Sequence, residues 1–345
     1  MSPSASTKVA SPPRPAVSRS LPTEGGAILI AGGTGFIGSA VLHELLAPRG
    51  SEASPTEIRV LSRRPLPGWM VAAGVRRTAA DLRDATTLRG SCDGADTVLH
   101  LASYVGKDPA LCTAINAHGT RVLLEEAQRA GTNRVVYVST ASVYGPGPHR
   151  GPTEAQLVPA PASAASASRR RAEEMVLSGG GIVLRPNLVY GPGDRWFVPT
   201  LCRLLRKVPV WPEGGTARTS LIAVQDLARV ITGLAGRVWT PDLDSVYHVN
   251  HPRPTVLRAL VAELSRNLEV RPPGTDLPYD AHRELTARVL PELSAHQHGL
   301  LTQDHWYESS RIWKQLGLAP GLGFAAGFAA SAPWYRRHLA ALNRT

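Results

Sequence analysis

From Ala27 to Leu46 the chain reads AILIAGGTGFIGSAVLHELL, and the period of its apolar positions changes midway. Ala27 to Ala31 form a short, continuous apolar run that includes β-branched isoleucines, the pattern of a parallel strand buried on both faces. From Phe36 onward the apolar residues Phe36, Ile37, Val41, Leu42, Leu45 and Leu46 recur at helical spacing. The alternation continues along the chain. EIRVLSRRP (57–65) predicts a second strand, a short segment before Asp81 a third, and TVLHLAS (97–103) a fourth. RVVYVSTASVYG (134–145) predicts a fifth and GIVLRPNLVYGPG (181–193) a sixth, with helical segments such as 110–130 between several of them. Strands alternating with helices predict an α/β fold, a doubly wound parallel sheet of the Rossmann type, with its ligand at the carboxyl ends of the strands.

Between the first strand and the first helix lie Gly32, Gly35 and Gly38, spaced GxxGxxG. Glycine allows the tight turn from strand to helix and lets the backbone approach a pyrophosphate, whose charge suits a helix N-terminus. Strand, glycines and helix in that order predict a dinucleotide site. At the end of the second strand stand Ser62, Arg63 and Arg64, with no carboxylate. An Asp or Glu there bonds the ribose 2′-hydroxyl of NAD, whereas an Arg accommodates a 2′-phosphate. Two guanidiniums that clamp a phosphate by forked, charge-assisted bonds predict NADP(H) over NAD(H). The alternative is that one or both arginines are solvated surface residues.

Composition narrows the class. A chain of 345 residues, 43% hydrophobic and 19% charged, fits one large α/β domain or a nucleotide-binding domain with a smaller lobe. It has no apolar run near the roughly 20 residues that cross a bilayer, so no membrane association is expected. Residues 1–26 are rich in Ser, Pro and Ala and read as a disordered tail rather than a secretory signal or an amphipathic transit peptide. Cys92, Cys112 and Cys202 show no paired spacing, which predicts reduced thiols and a cytoplasmic setting. His296 and His298 have no companion Cys, Asp or Glu cluster, so no metal site is expected. The net charge of +11 raises the question of nucleic acid, but the arginines are scattered and no aromatic-interleaved basic stripe exists. No nucleic-acid partner is expected; a polyanionic cofactor uses a few of the charges.

The runs GGTGFIG, Asp81-Leu82, HLAS, Asn116 with Gly119-Thr120, VSTASVYG and RPNLVYGPG together resemble the extended short-chain dehydrogenase/reductases grouped with NAD-dependent epimerase/dehydratases. LIAVQDLA (221–228) and SSRIWKQLGLAP (309–320) extend the resemblance over roughly residues 27–338. It implies a dinucleotide-binding domain mainly over 27–190. It also implies that mixed segments over 191–340 form a small substrate lobe and return to the Rossmann sheet. The glycine run, with Gly32, Thr34, Gly35, Phe36, Ile37 and Gly38, then holds the dinucleotide, with Arg63 and Arg64 at its phosphate. The resemblance places Asp81 and Leu82 at the adenine. It puts Leu101, Ala102, Ser103, Asn116 and Ser139 along the cofactor, and Pro186, Asn187 and Val189 near the nicotinamide. Family members also pair through helices at about 110–130 and 163–178, which implies a homodimer.

One stretch departs from the pattern. The family's chemistry rests on a Ser or Thr, a Tyr and a Lys, and the first of these corresponds to Thr140. On the run PASAASASRRRAEE (161–174) the Tyr position falls on Ala165 and the Lys position on Arg169. Between Tyr144 and Tyr190 there is neither tyrosine nor lysine, so the departure survives a shift of several residues. Ala, Arg and Glu still favour a helix. Arg169 keeps its proton and cannot relay one, but it can hold a ribose or a substrate oxygen. Two functions follow. One is an NADPH-dependent ketoreductase acting on an aromatic ketone, a polycyclic polyketide whose own hydroxyl supplies the missing hydrogen bond. The missing Tyr and the overall layout resemble atypical angucyclinone ketoreductases, and the composition resembles that of actinomycetes, which make such antibiotics. In that case Trp196, Phe197, Trp211, Trp306 and Tyr307 either line a flat pocket or pack the core. The other function is a non-catalytic NADP(H)-binding sensor or scaffold.

Overall fold

The computed structural model describes residues 26–47 and 57–342; the tail expected over 1–26 lies outside them except for Gly26. Seven strands form one parallel sheet in the order Val246–His248, Ile182–Arg185, Arg134–Val138, Ala95–His100, Ala27–Ala31, Ile58–Ser62, Arg76–Ala79. The chain winds outward in one direction from Ala27–Ala31 and then returns to its other side through Ala95–His100. The order therefore reverses between these two strands, where an open parallel sheet forms its ligand crevice. The Leu101 N–H bonds to the Ala31 carbonyl (2.8 Å) and closes that junction.

Strand residues alternate between two buried layers. Ile28, Ile30, Val60, Leu99, Val136 and Leu184 face helices Phe36–Leu46 and Val224–Ala235. Leu29, Ala31, Val98, Val135, Tyr137 and Val183 face helices Gly119–Arg129 and Ala164–Ser178. Full burial of one such aliphatic side chain contributes about 1.5–3 kcal/mol, so the two layers dominate the stability of the sheet. A third core, including Leu201, Leu260, Leu264, Phe328 and Tyr335, sits under the later helices.

Two of the expected strands are shorter than their sequence runs. The fifth ends at Val138, because the Thr140 hydroxyl accepts the Ser142 N–H (3.1 Å) and starts a tight helical turn over Ala141–Tyr144. The sixth breaks at Pro186, and Leu188–Tyr190 leaves the main sheet to pair with Leu221–Ala223. The 110–130 helix is interrupted by a wide π turn over Cys112–His118, a form often found beside functional sites. A smaller four-stranded sheet collects distant pieces in the order Thr255–Val256, Arg218–Thr219, His305–Trp306, His149–Arg150. No described helix is long and apolar enough to cross a membrane.

Candidate active site

The glycine turn is built by close approach. Gly32 has φ +88°, and a Cβ there would lie 2.6 Å from the Ala102 nitrogen. A Cβ on Gly38 would lie 2.1 Å from the Gly32 carbonyl oxygen. The turn thus seats helix Phe36–Leu46 against the sheet junction. That helix opens without a side-chain cap and without an acidic residue in its first turn, leaving Thr34 and Gly35 exposed. Its uncapped N–H groups suit a pyrophosphate. Gly193, at φ +102°, brings the end of the 186–193 run onto Phe36.

At the adenosine end, Ser62 fixes the following loop: its hydroxyl donates to the Arg64 carbonyl (2.8 Å) and accepts the Arg64 N–H (3.3 Å). Arg77, on the neighbouring strand, donates to the carbonyls of Ser62 (3.2 Å) and Arg63 (3.0 Å). Arg63 and Arg64 are therefore presented from a braced loop, both exposed. The Asp81 carboxylate is held by Arg83 through contacts of 2.8–3.2 Å, and Arg63 stands 3.8 Å away. The hydrogen bonds from Arg83 hold the Asp81 carboxyl below the usual carboxylate range. Two guanidiniums, of Arg63 and Arg83, thus stand against one carboxylate, with Arg77 bonded to the same loop, a local surplus of positive charge. Sequence reasoning missed Arg77, which only the pairing of the strands brings here, and Arg83, which stands two residues from Asp81. Leu82 is buried, and its carbonyl packs where a Cβ on Gly119 would sit.

Toward the other end of the cleft, Leu101 and Ala102 lie against the first strand and the glycine turn. Asn116 is buried with its amide fully engaged. It accepts the Tyr104 N–H (2.7 Å) and more weakly the Ser103 hydroxyl (3.4 Å), and it donates to the Tyr104 carbonyl (2.8 Å) and Ser168 (3.0 Å). It ties the 103–104 loop to helix Ala164–Ser178. Asn187 is also engaged: its N–H donates to Asn250, and its amide donates to Thr219, Ser220 and His305. The Pro186 carbonyl takes the Ala141 N–H (2.8 Å), and Val189 pairs with Ile222. These contacts bring Pro186, Asn187 and Thr140 to one corner.

The Ala164–Ser178 helix begins at a reciprocal Ser163–Ser166 cap and carries Ala165 and Arg169 in its first two turns. Arg169 donates to the Val138 carbonyl (3.1 Å), while its Nε, the Ser139 hydroxyl and His100 Nδ1 are buried without hydrogen-bond partners. Burial pushes the His100 imidazole down to about 4. Unspent polar groups beside the glycine cradle and the arginine cluster fit a dinucleotide laid across the junction. One turn further along the face that carries Arg169, Glu173 grips Arg185 in a bidentate pair (2.9 and 2.5 Å), and both are buried. Arg185 donates on to the Tyr144 hydroxyl (2.7 Å). The Glu308 carbonyl accepts from His248 Nδ1, so Nε2 accepts a hydrogen bond from the Tyr144 hydroxyl at 2.7 Å. Of the five aromatics considered for a flat pocket, Phe197, Trp211 and Tyr307 are buried in cores, and Trp196 and Trp306 are partly exposed.

The profile of the NAD dependent epimerase/dehydratase family matches residues 28–242. The chain belongs to that family. A dTDP-glucose 4,6-dehydratase of Streptomyces griseus is 30% identical over 337 residues, covering 90% of this chain and 94% of the relative. A 4-hydroxy-2-methyl-3-oxo-4-farnesyl-3,4-dihydroquinoline-1-oxide ketoreductase of Stigmatella aurantiaca is 28% identical over 265 residues, covering 74% and 77%. The solved structure of MoeE5 in complex with UDP-glucose and NAD superposes with a TM-score of 0.69 at 24% identity, covering 91% of this chain and 100% of that one. As a member of an epimerase/dehydratase family of NAD(P)-dependent enzymes, the chain keeps the glycine cradle and the sheet junction. Among the described residues, no group of three or more His, Cys, Asp or Glu could hold a metal ion.

Proposed function

We propose that this chain is an NADPH-dependent ketoreductase that reduces a carbonyl of a polycyclic aromatic, angucyclinone-like polyketide in antibiotic biosynthesis. The observation that carries the reading is the Ala164–Ser178 helix, which has neither Tyr nor Lys and whose Arg169 reaches the Val138 carbonyl, two residues before Thr140. The arginine surplus around Asp81 supports NADPH. The ketoreductase relative supports carbonyl reduction.

When bound, the dinucleotide supplies a hydride. Gly32, Gly35 and Gly38 seat it, the first turn of Phe36–Leu46 meets its pyrophosphate, and Arg63 and Arg64 take its 2′-phosphate. Arg169 orients its ribose with a fixed positive charge and cannot move a proton. The Thr140 hydroxyl accepts the Ser142 N–H, which leaves its own proton free for the substrate oxygen. One such donor offsets part of the charge that develops there; a hydroxyl beside the substrate ketone offsets the rest.

NADPH oxidation over a panel of aromatic hydroxy-ketones tests this reading, with methylated analogues whose binding is measured separately. Methylation of the adjacent hydroxyl should suppress turnover far more than binding. Tight NADPH binding with no ketone oxidising it would favour a sensor, the second reading, which the absent Tyr and Lys also support.

A further inference from the structure

In the small sheet Thr219 is the register partner of His305, and His305 of His149, so the three side chains share one face. All three are buried, while Arg218 and Arg150 on the opposite face are exposed. The inner face meets the corner described above. Asn187 donates to Thr219 Oγ1 and to the His305 carbonyl. Tyr307 packs with Ala141, Val143 and Tyr144 and meets His149 Nδ1 at 2.9 Å. The rings of His149 and His305 lie 5.4 Å apart.

His305 is only 1% exposed. Its Nδ1 faces the Gln303 carbonyl (3.3 Å), so Nδ1 carries the proton and Nε2 presents a lone pair. That Nε2 is buried and has no partner. A Cβ on Gly147 would come within 2.8 Å of it, so only glycine fits against this edge of the ring. His296, from the lobe, has a second buried Nε2 without a partner and lies close enough for its charge to bear on both His149 and His305. An unmet buried polar group is costly, and native structures rarely leave two without a partner that meets them.

The chemistry of the ligand follows from the charge state. Burial lowers the pKa of all three imidazoles, that of His305 to about 4, so at neutral pH they are uncharged. Neutral imidazoles do not select a phosphate or a carboxylate, and these histidines do not form a metal-binding group. A carbonyl cannot donate to the His305 lone pair. A hydroxyl can donate there and also accept from His296, whose Nε2 no partner fixes.

We propose that His305 and His296 form a subsite that reads a hydroxyl of the substrate beside the Ala141–Tyr144 turn. Resting on the ketoreductase reading, this hydroxyl is a phenol on the polycyclic substrate. The test titrates the full chain, saturated with NADP+, with anthraflavic acid and with its dimethyl ether. Wild type should prefer the free diphenol. His305→Leu should lower its affinity about tenfold, the loss of one buried hydrogen bond, and close the gap to the ether. His305→Gln, with a carbonyl acceptor, should recover part of it, and cofactor affinity should not move in either variant. If wild type prefers the diphenol and His305→Leu keeps that preference, the subsite is overturned and the ketoreductase reading stands. If wild type binds neither quinone, the aromatic-ketone reading fails and takes this assignment with it. Binding of dTDP-glucose that His305→Leu weakens, without quinone binding, would give the hydroxyl to a sugar and overturn the phenol.

Discussion

Arg83 closes on both oxygens of the Asp81 carboxylate, with Nη2 at 2.8 Å and Nε at 3.1 and 3.2 Å, while Arg63 stays 3.8 Å away. Asp81 is thereby neutralised next to the place proposed for the 2′-phosphate, and Arg63 is left for that phosphate. Arg83→Ala should free the carboxylate to capture Arg63 and repel the phosphate. NADPH affinity should fall about tenfold, near the low end for a charged hydrogen bond, and NADH affinity by no more than about twofold. Fluorescence titration of both cofactors checks this; equal losses would separate Arg83 from cofactor choice.

The Glu173–Arg185 pair predicts a stability effect. Removing one member of a buried ion pair strands the other charge and typically costs about 3–5 kcal/mol. Glu173→Ala should lower the urea midpoint accordingly. Glu173→Met combined with Arg185→Met should cost less than the sum of the single changes, since no charge is stranded. Additive losses would show that the two groups do not act as a pair.

The histidines set the acid limb. His100, His149, His248, His282, His296, His298 and His305 all have pKa values lowered by burial, those of His100, His298 and His305 to about 4 and that of His248 to about 3. In the unfolded chain each takes a proton near its ordinary value of about 6.5, so the unfolded state binds more protons below that pH. The stability is therefore complete above about pH 6.5 and lost as pH falls toward 4, at up to about 1.4 kcal/mol per pH unit for each group. Burial raises Glu154 and Asp194, which act in the opposite sense, but they are two against seven. The urea midpoint should drop clearly from pH 7 to pH 5. A flat profile would mean that these imidazoles titrate normally in the folded protein.

Thr140 should matter little. Its hydroxyl oxygen is committed to the Ser142 N–H, and the proposed chemistry draws its main donor from the substrate. Thr140→Ala should cost at most about tenfold in kcat, below the upper range for a lost general acid. A loss of a thousandfold with cofactor binding intact would identify a protein acid and defeat substrate assistance.

What the sequence made legible was what local pattern encodes. Ala27–Ala31, the glycine turn and the amphipathic Phe36–Leu46 helix follow from period and turn chemistry in one continuous stretch. The Ala164–Ser178 helix follows from propensity. Contacts between strands were not legible: Arg77 reaches Ser62 and Arg63 only because Val60 and Arg77 pair across the sheet. His149 and His305 meet through a register between segments far apart in the chain. Nor does a side chain's type reveal that its hydrogen bonds are already used. Asn116 and Asn187, which the resemblance implied along the cofactor, each spend the amide on the protein itself.

Most of the residues that anchor the Ala164–Ser178 helix are not the residues assigned to the proposed chemistry. Ser163 and Ser166 cap it, Ala172 and Val176 bury it, and Glu173 bolts it to Arg185 and through that residue to Tyr144. Arg169 adds a bond to the Val138 carbonyl, whereas Ala165, with a single methyl group, adds little. In evolutionary terms the helix is therefore a permissive platform at position 165, where a reactive side chain can be exchanged within a lineage with little resistance from the fold.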